Sequence, residues 1–216
     1  MTRRHSGRWY PPVKRVIDLL GSIVCLVIAS PVLLVIAAVV KLGSRGPVLF
    51  RQTRIGRGGT PFTMLKFRTM VHGNDDAIHR DYYRRLVEGR AEPRITAEGE
   101  EVFLLDDPRI TRVGRFLRRT SLDELPNLVN IVRGEMSLVG PRPPIDYEVD
   151  HYDARARRKL AVRPGMTGLA QVSGRGSLTF QQVIDYDLEY VESRSLTLDL
   201  QILLRTLPAV LRKRGV

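Results

Sequence analysis

The chain has 216 residues, 43% of them hydrophobic, and its 35 lysines and arginines against 23 acids leave a net charge of +12. That length predicts one domain plus a special segment, and the apolar share excludes a disordered chain. The positive charge excludes indifference to anions. A single cysteine, Cys25, and four scattered histidines (His5, His72, His79, His151) exclude an internal disulfide, an all-cysteine metal site and a zinc spacing.

The first feature in chain order is a run without charge, Leu19 to Val40. As a helix it reaches roughly 33 Å, about one hydrocarbon core. Arg3, Arg4, Arg8, Lys14 and Arg15 precede it, and Lys41, Arg45, Arg51, Arg54 and Arg57 follow it. Positive residues prefer the cytoplasmic side of a membrane, and here they crowd both ends. Ser30-Pro31 stands inside the run. Proline removes a backbone hydrogen bond, and a serine hydroxyl can satisfy the carbonyl freed there. The residues leave two readings open: a kinked spanning helix, or a re-entrant hairpin broken at Ser30 and Pro31. The length of the run, with no small-residue cleavage site after it, argues against a signal peptide.

Gly43 to Thr69 reads as short strands around a turn. Val48 to Phe50 is one strand, Gly56 to Gly59 the turn, and Phe62 to Arg68 a second strand on which Lys66 and Arg68 share a face. Asn74 to Asp106 is polar, with a surface helix over Ala77 to Val87 and a loop over Glu88 to Glu101. Asp107 and Pro108 are expected to open a helix as cap and first residue. Ile110, Val113, Phe116 and Leu117 form its apolar stripe. Arg109, Arg112, Arg115 and Arg118 recur every three residues, with Arg119 beside the last and no acid among them. A basic amphipathic helix of this kind suits an anionic surface or phosphates, although a solvated charged face is the plainer alternative.

Ser121 to Glu124 fits a capping box before the apolar-periodic run Leu125, Leu128, Val129, Val132, with Gly134 closing the helix. Pro126 deletes a real bond if Ser121 is the cap and costs little if Asp123 is. Either way Asp123 and Glu124 are expected at a helix N-terminus, where free N–H groups favour carboxylates and attract phosphate. An aspartate there is expected to stay ionised and to be a nucleophile toward phosphorus. A divalent cation between two carboxylates and a pyrophosphate relieves their repulsion. Acids at helix starts are also ordinary caps.

In Val139 to Pro144, prolines on both sides hold Arg142 in stiff extended backbone suited to phosphate, unless this is a proline-rich linker. Arg163 to Gly168 and Gln171 to Gly176 form a glycine-rich basic stretch whose N–H groups can cradle phosphate. Phe180, Val183, Ile184, Leu188 and Val191 keep a helical period. A last helix carries Leu200, Leu203, Leu204, Leu207 and Leu211, a basic end at Arg205, Arg212, Lys213 and Arg214, and a bend at Pro208. It too suits a membrane interface.

Taken together, these segments resemble the bacterial sugar transferases, the monotopic polyprenyl-phosphate phosphoglycosyl transferases. The matching pieces are Lys14 to Asp18 leading into the Ser30-Pro31 run, Leu65 to Met70, Asp107 to Thr111, Thr120 to Pro126, Met136 to Pro143, Arg163 to Gly168 and Gln171 to Arg175, in the family's order. The resemblance implies transfer of a sugar 1-phosphate from a UDP-sugar to a polyprenol (undecaprenyl) phosphate, releasing UMP. This would be the first membrane step of an exopolysaccharide, O-antigen or capsule pathway. It implies a phosphosugar-aspartyl intermediate on Asp123, with Glu124 and Asp123 holding Mg2+. It implies substrate binding by Lys66, Arg68, Arg118, Arg119, Arg142, Arg163, Gln171 and Arg175. Gly176 and Ala170 depart from the residues common in the family, which bears on sugar specificity.

The fold expected is α+β and mostly helical. A re-entrant helix-break-helix over residues 1–42 packs on a small cytosolic-face catalytic domain, 43–216, with amphipathic interfacial helices and short strands. The chain looks like the minimal catalytic form, on the cytoplasmic face of the bacterial inner membrane. Inner-membrane lipids are expected partners, nucleic acid is not, and a homodimer is left open. Two alternatives stand beside this reading: one-step metal-dependent transfer, in which Asp123 only binds metal, and a non-enzymatic membrane-anchored basic adaptor.

Overall fold

The computed structural model describes residues 9–71, 77–88, 90, 109–174 and 178–211. Helix α1 runs from Tyr10 to Gly43 over 34 residues, with prolines at its first positions and an extended Ser44 at its end. The run read from Leu19 is therefore the middle of a longer helix. With a mean hydropathy of 3.1 in its most apolar stretch, it is long and apolar enough to cross a membrane. The expected interruption at Ser30 and Pro31 is absent, since Pro31 lies inside one helix. The reason is local: the Ser30 hydroxyl donates to the Val27 carbonyl at 2.8 Å, the carbonyl that an amide at position 31 would have bonded.

One stripe of α1 is buried, at Tyr10, Asp18, Ser22, Ile36 and Val40. Elsewhere it exposes Val16, Leu20, Val27, Ile28, Leu34 and Val35. Its N-terminal end is held by Tyr10 Oη and Lys14 Nζ, each 2.9 Å from Asp199 Oδ2. Asp18 accepts the Leu138 amide at 3.0 Å. At the other end Ile36 and Val40 pack with Phe67 and Leu117.

Strands β1 (Leu49–Ile55) and β2 (Pro61–Phe67) form the expected antiparallel hairpin, with Phe50 opposite Lys66. Gly58 and Gly59 turn it at φ 68° and 83°, values that favour glycine. Helix α2 covers Ala77–Val87, as the pattern predicts. Helix α3 (Arg112–Thr120) starts later than expected. Its cap is Thr111, whose Oγ1 accepts the Gly114 amide at 2.9 Å. Val71 and Thr111 donate their amides to the Arg109 and Thr69 carbonyls, which keeps residues 109–111 extended and out of the helix. Asp107 and Pro108 lie outside the described residues. In α3 Leu117 is buried, but Phe116 is 59% exposed among the arginines rather than part of the buried stripe.

Helix α4 covers Asn127–Arg133 and ends, as expected, on Gly134 at φ 84°. Strand β3 (Ser137–Val139) pairs in parallel with β4 (Gly165–Thr167). Short helices α5 (Asp146–Val149) and α6 (Ala154–Arg157) lie between β3 and β4 in the chain, and α7 (Leu169–Ser173) follows β4. Helices α8 (Phe180–Ser193) and α9 (Leu196–Leu211) complete the order, with Pro208 inside α9.

The glycine-rich stretch has a structural use that its composition does not disclose. Gly140 and Gly165 donate their amides to Thr167 and Pro141 carbonyls at 2.9 and 2.8 Å. A Cβ on Gly165 would stand 2.1 Å from the Gly140 nitrogen. These glycines let two backbones touch, and the Gly165 N–H is therefore not free for the expected phosphate cradle. The described part is thus mostly helical, with two small two-stranded sheets.

Candidate active site

The two acids sit in a tight turn and not at the first residues of a helix. Ser121 adopts a left-handed conformation, φ 56°, which ends α3 and throws the chain into a 3-10 turn over Leu122–Glu124. Its side chain caps nothing there, so the capping box is not formed, and Asp123 is not the cap either: α4 begins behind Pro126. Proline cannot donate an amide, so the chain passes through linked turns, with Glu124 and Leu125 donating to Ser121 and Leu122, before regular helix starts. Leu122 and Leu125 pack into the hydrophobic clusters on either side, which fixes the acids between them.

Glu124 is gripped from two directions. Lys66 Nζ forms an ion pair with its Oε1, and Asn127 Nδ2 donates to its Oε2. The strand that brings Lys66 is pinned to α4 by Asn130. Its Oδ1 accepts the Leu65 amide at 3.1 Å, and its Nδ2 donates to the Thr63 carbonyl at 2.7 Å. A fully buried asparagine on α4 thus sets the register at which Lys66 meets the acidic turn.

Asp123 is 8% exposed. Burial, then the neighbouring Glu124 charge, raises its carboxyl to about 6, against the pull of Lys66 and Arg118. Burial also works to raise Glu124, but Lys66, Arg142 and Arg54 outweigh it and hold that carboxyl below its ordinary value. Burial pushes the Lys66 ammonium down, while Glu124 holds it up. The neighbouring acids are therefore driven apart, one toward neutrality and one firmly charged.

Beside the turn lies a narrow cleft lined by Arg54, Lys66, Glu124, Asn127, Arg142 and Gln171, with Met64, Met136 and Met166 between them. Arg54 is 5% exposed and donates to the Pro143 carbonyl at 3.0 Å and to Gln52. Burial and the nearby Arg142 bring its guanidinium down to about 10, so it stays charged at neutral pH. Arg142 is exposed between two buried prolines. The wall can take an anion with several negative oxygens.

The other expected residues divide. Lys66, Glu124, Arg142 and Gln171 line the cleft, and Arg118 adjoins Asp123, donating from Nε to Thr69 Oγ1 at 2.9 Å. Arg68 does not reach the cleft. It lies just past β2, and its guanidinium donates to the Val40 and Ser44 carbonyls at 3.2 and 2.8 Å and to Arg45, closing the end of α1. The shared face with Lys66 is lost because the strand ends at Phe67. Arg163 donates to the Gly134 carbonyl at 2.8 Å, and Arg119 is an exposed residue of α3. Arg175 lies outside the described residues. Arg54 and Asn127 were not expected: Arg54 counted only as a flanking charge, and the signal for Asn127 was an amide directly after Pro126 in an apolar-periodic run.

Among the described residues there is no cluster of three or more His, Cys, Asp or Glu side chains. Asp123 and Glu124 are neighbouring carboxylates, hard oxygen donors of the kind magnesium takes together with phosphate oxygens, and both Glu124 oxygens already accept from Lys66 and Asn127.

Compared with known proteins, the chain matches the bacterial sugar transferase family across residues 9–213. It is 44% identical over 202 residues to the exopolysaccharide production protein ExoY of Rhizobium meliloti, covering 94% of this chain and 87% of that protein. It is 44% identical over 206 residues to the UDP-glucose:undecaprenyl-phosphate glucose-1-phosphate transferase of Caulobacter vibrioides, covering 92% and 69%. It is 41% identical over 204 residues to the undecaprenyl-phosphate galactose phosphotransferase of Salmonella typhimurium, covering 94% of this chain and 41% of that protein.

Proposed function

The chain belongs to the bacterial sugar transferase family, and on that premise we propose that it moves a sugar 1-phosphate from a UDP-sugar to undecaprenyl phosphate and releases UMP. The observation that carries the reading is the Asp123–Glu124 turn, where a buried carboxyl at about 6 stands next to an ion-paired one at the edge of a cationic cleft. Two of the similar proteins bear names that describe undecaprenyl-phosphate sugar phosphotransfer.

In the first step an Asp123 carboxylate oxygen bonds to the phosphorus that bears the sugar. The bond from that phosphorus to the bridging oxygen breaks, and UMP leaves with the electron pair. In the second step an oxygen of the polyprenol phosphate bonds to the same phosphorus and the Asp123–phosphorus bond breaks, which restores the carboxylate. Arg142, Arg54 and Lys66 bind the diphosphate oxygens and hold them in line. Glu124, fixed by Lys66 and Asn127, keeps the turn in place and keeps Asp123 from losing its proton too far below neutral pH. Magnesium, held by Glu124 and Asp123 when bound, supplies charge neutralisation at the diphosphate.

The acceptor is a lipid, so the turn must work at headgroup height. Both ends of α1 are tied to the rest of the molecule, the first by Asp199 and the last by Arg68. A helix fastened at both ends to one folded body favours insertion into a single leaflet from the cytoplasmic face over a crossing. Phe116 on α3, 59% exposed, and Leu200 and Leu204 on α9, 57% and 60% exposed, add apolar contacts for such a surface.

One observation favours a one-step route in which the lipid phosphate attacks directly: Asp123 is buried and does not itself line the cleft. Incubation with labelled UDP-sugar, magnesium and undecaprenyl phosphate tests the activity, with label expected in the lipid fraction. No transfer from any of a panel of UDP-sugars contradicts the reading. Separation of the two routes follows from omitting the lipid and looking for label on the protein.

A further inference from the structure

Two residues of the cleft wall each carry a buried side-chain oxygen with no hydrogen bond, Asn127 Oδ1 and Gln171 Oε1. Asn127 is fully buried. Each amide is oriented by its other end. Asn127 Nδ2 donates to the Glu124 carboxylate, and Gln171 Nε2 donates to the Met166 carbonyl at 3.3 Å. Turning either amide over would set oxygen against oxygen, so both acceptors stay where they are. A buried acceptor left alone costs as much as a broken hydrogen bond, and native proteins hold few of them.

The cations of that wall are of the opposite kind: Arg54, Lys66 and Arg142 have donors and no acceptors, and the wall's one carboxylate, Glu124, is already held by Lys66 and Asn127. A ligand that satisfies the whole wall must bring negative oxygens for the cations and O–H or N–H donors for the amides. A nucleotide sugar has both, from two sources: hydroxyls of the sugar, or the ribose and base of the nucleoside. Asn127 is bonded to Glu124, next to Asp123, so it stands on the side where the proposed reaction puts the sugar-bearing phosphorus.

We propose that Asn127 Oδ1 and Gln171 Oε1 form an acceptor pair that takes hydrogen bonds from hydroxyls of the transferred sugar and so selects which sugar is accepted. The inference rests on the reading of the cleft as a UDP-sugar site. Selection of this kind is steep, because an analogue lacking the hydroxyl leaves the buried oxygen alone again.

The test measures affinities of the full chain in lipid nanodiscs for UMP, for the best-transferred UDP-sugar and for its monodeoxy analogues, in wild type, Asn127→Leu and Gln171→Met. The expected result has three parts. Wild type binds at least one deoxy analogue tenfold or more weakly than the parent. One of the variants binds that analogue and the parent within about twofold of each other. UMP affinity is the same in wild type and Gln171→Met, which also shows that the site has folded. Gln171→Met does not touch Glu124 and carries the test alone if Asn127→Leu lowers the melting temperature. Variants that discriminate as sharply as wild type overturn the pair. A loss of UMP affinity equal to the loss for the UDP-sugar, in a variant with unchanged melting temperature, overturns the assignment to the sugar and moves it to the nucleoside. A wild type that binds no UDP-sugar contradicts the functional reading itself, whereas one that binds it and ignores every missing hydroxyl contradicts only the pair.

Discussion

Lys66 and Glu124, 58 positions apart in sequence, meet as an ion pair that joins strand β2 to the turn carrying Asp123. The pair fixes the charge on Glu124, and through Glu124 it sets how readily its neighbour loses a proton.

The raised carboxyl at Asp123 is a stability statement. A group whose folded value, about 6, exceeds its ordinary 3.8 stabilises the fold while protonated, and that contribution is lost as pH rises through about 6. Asp123→Asn has no charge to accommodate. It is expected to abolish turnover and yet to stabilise the protein by up to ~3 kcal/mol near pH 7.5, with the gain gone near pH 4. Thermal melts at the two pH values check this. An Asn variant no more stable than wild type at the higher pH contradicts it.

The same proton controls the rate. Nucleophilic attack needs the carboxylate, so kcat/KM falls on the acid side, where the carboxyl takes its proton: at about 6 without metal, and at lower pH once magnesium stands beside it. Glu124 raises that value and Lys66 lowers it. Glu124→Gln therefore moves the acid limb of the profile to lower pH, and Lys66→Met moves it to higher pH, each with a loss of rate of roughly a hundredfold or more. Shifts in the same direction for both variants would count against this electrostatic account.

Two arginines expected to share a role separate in the structure. Arg68 holds the carbonyls at the end of α1, and Arg142 faces the cleft. Arg68→Ala should lower stability by ~2–4 kcal/mol, because buried donors to several carbonyls are removed together. Nucleotide affinity should stay unchanged in the protein that remains folded. Arg142→Ala should weaken UDP-sugar binding by roughly tenfold or more with little change in melting temperature. Melting curves beside binding isotherms decide, and a reversed pattern contradicts the assignment.

Attachment of α1 at both ends predicts topology. Cysteines placed at Trp9 and Arg45, in a Cys25→Ser background, are expected to react with a membrane-impermeant thiol reagent from the cytoplasmic side alone. Labelling from opposite sides would show a crossing helix.

Much of this was legible in the sequence where the cause is local. The β1–β2 hairpin follows from its glycines, α8 from its period, and the end of α4 from Gly134. The Ser30 hydroxyl does serve the carbonyl freed by Pro31, and the helix continues through the proline where a break was one of the two readings. Other misreadings have a non-local cause. The β3–β4 pair is three residues a strand and exists because Gly140 and Gly165 let distant backbones touch. Arg68 differs from Lys66 through what the end of α1 presents to it. Thr111 replaces Asp107 as a cap because residues 109–111 are held by Thr69 and Val71. Asp123 and Glu124 were found by the company they keep in sequence, but their unequal burial, which sets their different chemistry, depends on how the turn packs.

The central claim is that Asp123 becomes covalently bonded to the sugar phosphate. Intact-mass spectrometry of the protein with UDP-sugar and magnesium, without lipid acceptor, tests it most directly. A mass increase equal to one sugar phosphate is expected, mapping to Asp123 and discharged when undecaprenyl phosphate is added. An Asp123→Asn protein that still transfers sugar phosphate to lipid at more than a few per cent of the wild-type rate, or a fully active wild type that never gains the mass, would contradict it.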